Sequence, residues 1–96
     1  MKATIENLER VLRICAEAHN CDFEDWSEDG QFGLHSETPA TICDVQMILD
    51  AFYGNHDAAE PGYGYVNIWL DASMNDAERE VDMPTLQLAL PYGTEL

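Results

Sequence analysis

The sequence predicts an α+β domain, with two helices packed on one face of a small antiparallel sheet in the order α-β-β-α-β-β. Three observations lead there. Apolar residues recur at steps of three and four in two separate segments, residues 65–71 alternate strictly, and an Asp-Gly pair sits between two extended segments.

Taken in order, Ile5, Leu8, Leu12, Cys15 and His19 form a helical stripe that Val11 and Ala18 widen, so residues 4–19 predict an amphipathic helix capped by Thr4. Glu6 with Arg10 and Glu9 with Arg13 have the favourable i,i+4 order for local ion pairs. CDFEDWS and QFGLHS then flank Glu28-Asp29-Gly30, the turn chemistry of a hairpin. A second helix starts near Thr38-Pro39, or equally at Thr41 with Asp44. It presents Ile42, Val45, Ile48, Leu49 and Phe52, and Gly54 ends it. Asn55 to Gly64 reads as a surface loop. In the strand at 65–71, Val66, Ile68 and Leu70 share one face and Asn67, Trp69 and Asp71 the other. Leu86, Leu88 and Leu90 alternate again, predicting a last strand limited by Pro84. Between these two, residues 74–83 suit a short helix capped by Asn75 or an extended arm, and local signals leave both open.

Nineteen acidic residues stand against four basic ones in 96, a formal net charge of −15. With 46% hydrophobic residues and nine aromatics the chain has the material of a folded core, unlike an acidic disordered tail. It reads as one acidic α+β domain over residues 1–96, burying roughly 60–65% of its unfolded surface. The segment MKATIENLER carries charges where an apolar leader or span would be continuous, so a cytoplasmic protein without a membrane segment is expected. Whether it is a monomer or a homodimer is left open. An acidic surface of this strength repels nucleic acid and anionic lipid and attracts basic protein surfaces.

The acidic residues fall into two rows. If extended, residues 76–83 place Asp76, Glu78, Glu80 and Asp82 on one face, at a spacing of ~6.6 Å that is within reach of a nucleic-acid phosphate repeat. Asp22, Glu24 and Glu28 share a similar parity around Trp26, and Asp25 and Asp29 add to that cluster. Such rows can face the lysines and arginines that normally hold phosphates, or they can be solvated strand faces that discourage sheet association. A surface charged only for solubility mixes both signs and needs a net charge of about 2–8.

In size, charge and the acidic segments DFEDWSED and DAEREVD, the chain resembles small acidic proteins of phages and mobile elements that inhibit nucleic-acid machinery, the anti-CRISPR and anti-restriction class. Members of that class share a mode of action and no common fold. The resemblance implies a non-enzymatic inhibitor that occupies the basic nucleic-acid-binding site of a CRISPR effector or other nuclease in the host cytoplasm, by charge mimicry. Asp76, Glu78, Glu80, Asp82, Asp22, Glu24, Asp25, Glu28 and Asp29 would then bind the partner, with Trp26 and Trp69 as aromatic anchors. Two other readings are an immunity or antitoxin protein against a basic nuclease toxin, and a small acidic assembly or regulatory protein.

Other chemistry is poorly supported. Cys15, His19, Cys21 and Cys43 lack the paired spacing of structural zinc sites. Asp25, Ser27, Asp29 and Gly30 open like a calcium loop, but Ser36 stands where its bidentate Glu belongs. No cofactor, metal or catalytic residue is therefore expected: glycine-rich phosphate loops, nucleophile elbows and HExxH are all lacking. The odd cysteine count fits reduced thiols.

Overall fold

A computed structural model describes all 96 residues. Thr4 caps α1 (Ile5–Ala18) by accepting a hydrogen bond from the Asn7 N–H at 3.2 Å. The helix buries Leu8, Val11, Leu12, Cys15 and Ala16. It stops because Asn20 turns left-handed (φ 53°), which lets the Asn20 and Cys21 N–H groups close on the Glu17 and Ala16 carbonyls. Ala18, placed on the stripe by periodicity, is exposed, and Ala16 takes the buried position instead. Glu9 and Arg13 pair at 3.5 Å, whereas Glu6 and Arg10 form no ion pair, and the Arg13 guanidinium also lies 4.4 Å over the Phe23 ring.

The hairpin forms as expected. Strands β2 (Phe23–Trp26) and β3 (Gln31–Leu34) pair antiparallel, joined by a 3-10 turn at Ser27–Asp29 and by Gly30 in the left-handed region (φ 74°). Thr38 caps α2 (Pro39–Tyr53), which has Pro39 in its first turn, and left-handed Gly54 ends it. Val45, Ile48, Leu49 and Phe52 are fully buried, facing the helix-side residues Phe32, Leu34, Val66 and Ile68 of the sheet.

Two expectations need correction. The segment Asn55–Gly64 is not all loop: after a 3-10 turn at His56–Ala58 it forms edge strand β4 (Ala59–Pro61), paired with β5 (Val66–Trp69). Ala59 faces the core there, opposite Ile68, and its burial offsets the Gly- and Pro-rich composition that signalled loop. The predicted last strand is instead α3 (Met83–Leu88). Asp82 caps it through the Thr85 N–H and hydroxyl, and Pro84 occupies the first turn, where its missing N–H costs nothing. Leu86 is buried while Leu88 is 77% exposed, so the alternation of leucines was not a strand face.

Residues 74–83 resolve as an arm. Strand β6 (Asp76–Glu80) pairs with the short β1 (Lys2–Ala3) as a separate two-stranded ribbon, and the larger sheet has the order β2-β3-β5-β4. The chain measures 35 × 32 × 18 Å. A thickness of 18 Å accommodates one sheet and one helix layer of about 10–12 Å. Helices α1 and α2 cover one face of the four-stranded sheet, and no element covers the other. No helix is long and apolar enough to cross a membrane.

Candidate partner-binding face

The uncovered face follows from register. Glu24 pairs with Gly33, Gly33 with Asn67, and Asn67 with Glu60, so one cross-strand row has a carboxylate at each sheet edge. Three strand spacings put those edges roughly 14 Å apart. The next row is Trp26, Gln31 and Trp69, which brings the two tryptophans to the same face at opposite sides of β3.

Small residues seat the aromatic ones. A Cβ built on Gly33 would lie 2.5 Å from Cζ3 and 2.7 Å from Cη2 of Trp26, so the indole rests directly on the β3 backbone. Gly62 seats Tyr65 in the same way, its hypothetical Cβ falling 2.6 Å from the ring. Trp26 meets His35 and Tyr65 edge-on, with centroids 6.2 and 5.9 Å apart. Asn67, beside this group, is buried although it lies on the face opposite Val66 and Ile68, and its Oδ1 has no hydrogen-bond partner. Trp69 is 47% exposed and donates its Nε1–H to Glu60 Oε2 at 3.1 Å. Of the two expected anchors, Trp26 is thus a half-buried member of a packed cluster and Trp69 the more open side chain.

The hairpin carboxylates Asp22, Glu24, Asp25, Glu28 and Asp29 are all exposed. Glu24 approaches His35 Nε2 at 3.6 Å. Asp25 accepts hydrogen bonds from Ser27, chiefly through the hydroxyl and then the N–H, which hold its carboxyl below the usual carboxylate range. The 3-10 turn carries Glu28 and Asp29 beyond the end of β2, so the parity of the row with Asp22 and Glu24 ends at Trp26.

The second row is shorter than its spacing implied. Asp76, Glu78 and Glu80 lie in β6, but a register shift between Lys2, which pairs with Glu80, and Ala3, which pairs with Asp76, keeps them from sharing one face, and Asp82 has left the strand to cap α3. Asp76 Oδ1 accepts the N–H groups of Glu78 and Arg79, at 2.9 and 3.2 Å. Glu80 bonds Lys2 Nζ at 2.6 Å and the chain's amino group at 3.2 Å, and these hydrogen bonds, with the accompanying charges, hold its carboxyl below the usual range. Glu78 has no such commitment. The two rows lie on different sheets and form no single stripe.

Few cations offset this charge. Lys2 is paired with Glu80, Arg13 with Glu9, and Arg79 lies at the C-terminus of α2, its Nη2 3.4 Å from a Cβ built on Gly54. His19 Nε2 contacts Asp44 Oδ2 at 2.8 Å, joining α1 to α2, and no group of three or more His, Cys, Asp or Glu side chains is placed to hold a metal ion. Cys15 is buried, Cys21 half-buried and Cys43 exposed. Comparison with family models, characterised proteins and solved structures finds no match to this chain.

Sequence reasoning singled out Glu24, Trp26 and Trp69 but missed Glu60, Tyr63, Tyr65 and Asn67 on the same face. Glu60 was hidden by the reading of its segment as a loop. The polar positions 65, 67 and 69 of the alternating strand were the available signal for the others.

Proposed function

We propose that the protein is a stoichiometric inhibitor that binds a basic nucleic-acid-binding surface of a defence complex, in the manner of anti-CRISPR or anti-restriction proteins, and excludes DNA or RNA from it. The observation that carries this reading is the one-sided charge: nineteen carboxylates against four cations, two of which are already paired within the fold. Glu24 and Glu60 stand at the two edges of an uncovered aromatic face, whereas Asp25 falls in the helix-side row of Phe32 and Ile68. Charge of this kind steers encounter with a basic site, and a close-packed aromatic centre supplies the specificity.

The test is the association rate on a partner captured from host lysate. Reversing Glu24, Glu28, Asp29 and Glu60 to lysine should slow association at least tenfold at low salt, with the difference shrinking as salt rises. Reversal of Glu78 alone reports on the ribbon. Glu80 and Asp82 are poor choices because each holds the fold together. An association rate unchanged by the fourfold reversal, in a variant that remains folded, would remove the carboxylates from the mechanism.

A further inference from the structure

Strands β4 and β5 and the Gly62–Tyr65 turn between them enclose a recess of about 260 Å³ on the uncovered face. This is below the roughly 300–1,000 Å³ of sites for drug-sized ligands, and suits the head of one side chain. Three aromatic residues wall it: Tyr63, fully exposed at the turn, Tyr65 seated on Gly62, and Trp69. Glu60 stands beside them, its Oε2 held by the Trp69 indole N–H, and no lysine or arginine lines the space. Asn67 also lines it, more than nine-tenths buried, with its amide oxygen closed off from the space.

The aromatic walls and the carboxylate favour the same occupant. Aromatic faces attract cations through their quadrupole, and a carboxylate beside them adds charge attraction. An anion meets repulsion from Glu60 and from the whole domain. A quaternary ammonium has no N–H to offer Glu60. An ammonium is a compact, strongly hydrated point charge, whereas a guanidinium is planar, stacks on aromatic rings and carries five donors in a fork. We infer that this recess takes the guanidinium of an arginine from the partner protein, stacked among Tyr63, Tyr65 and Trp69 and hydrogen-bonded to Glu60.

The inference builds on the reading that the partner is basic and adds where and how one of its residues is read. Because it concerns this chain alone, it can be tested without the partner. The probe is the capped peptide acetyl-Gly-Arg-Gly-amide, titrated at low salt into the ¹⁵N-labelled protein, with matched lysine, trimethyl-lysine and citrulline peptides. The Trp69 indole N–H, the Asn67 side-chain amide and the Tyr63–Tyr65 backbone should shift saturably with the arginine peptide, while the Trp26 indole and the β6 amides stay in place. Glu60→Gln should weaken binding roughly tenfold or more by removing a charge-assisted pair.

Equal response to arginine and lysine, tighter binding of trimethyl-lysine, any saturable response to citrulline, or shifts spread evenly over the hairpin and β6 carboxylates would overturn the assignment. Inhibition that persists while the peptide fails removes the recess alone. Peptide binding alongside a captured partner that still holds nucleic acid removes the inhibitor reading and leaves the recess.

Discussion

Replacing Gly33 by alanine tests whether the indole of Trp26 rests on the β3 backbone. Gly33 has no left-handed requirement, so in an open strand the substitution would stabilise by roughly 0.4–1 kcal/mol through the unfolded chain. Here the new Cβ would lie 2.5 and 2.7 Å from two ring carbons, about 1 Å inside ordinary carbon contact at roughly 3.5–4.0 Å. The ring must leave its seat, and overpacking of this kind costs about 1–3 kcal/mol. The net expectation is a loss of about 1–2 kcal/mol, equivalent to a fall in melting temperature of roughly 5–15 °C for a domain of this size. Thermal and urea unfolding of Gly33→Ala, Trp26→Ala and the double variant supply the cycle. In the Trp26→Ala background the alanine should be neutral or stabilising, giving a coupling of about 2 kcal/mol. A Gly33→Ala protein as stable as the parent, or a coupling near zero, would refute the packing of the whole aromatic cluster.

Other expectations follow from single groups. Thr38→Ala removes the acceptor of the Thr41 N–H and a contact to the buried Thr41 hydroxyl, so urea unfolding should show a loss of about 1 kcal/mol. Burial pushes the Cys15 thiol up to about 12, with Asp44 and Cys21 adding to it. A thiol reagent should therefore label exposed Cys43 first and Cys15 only on unfolding. The same shift sets a sign at high pH: the unfolded chain loses this proton first, so stability should fall as pH rises from about 9 towards 12, and a Cys15→Ala variant should show a shallower decline. Glu80 has the opposite sign. Its folded carboxyl is held low, so its contribution is present above the unfolded value and fades as pH falls through the folded one, and Glu80→Gln should flatten the acid limb of a stability profile.

Local signals disclosed the elements whose chemistry is self-contained. Thr4, Thr38-Pro39, Gly30 and Gly54 each act within a few residues, so α1, α2 and the β2-β3 hairpin were legible. The errors arose where a distant neighbour decides. Leu86, Leu88 and Leu90 satisfy a strand pattern, but Asp82 and Pro84 start a helix that buries Leu86. Ala59–Pro61 looks like loop until β5 supplies hydrogen bonds. The candidate face was harder to see for the same reason: Glu24, Trp26, Glu60 and Trp69 come from three strands, and only register places them together. The Asp76–Asp82 row failed for the same reason: the β1–β6 register shifts between Lys2 and Ala3, Glu80 is tied to Lys2, and the last member caps a helix.

The most direct test of the inhibitor reading is a one-to-one competition on a partner captured from host lysate at low salt. Fluorescence anisotropy would follow the partner's binding of labelled DNA or RNA as the wild-type protein, and then a Glu24→Lys/Glu60→Lys variant, is added. The account predicts that one equivalent of wild type displaces the nucleic acid and that the folded variant does so far less well. A partner that keeps its nucleic acid while saturated with the wild-type protein would contradict it, and the acidity would then serve steering or solubility alone.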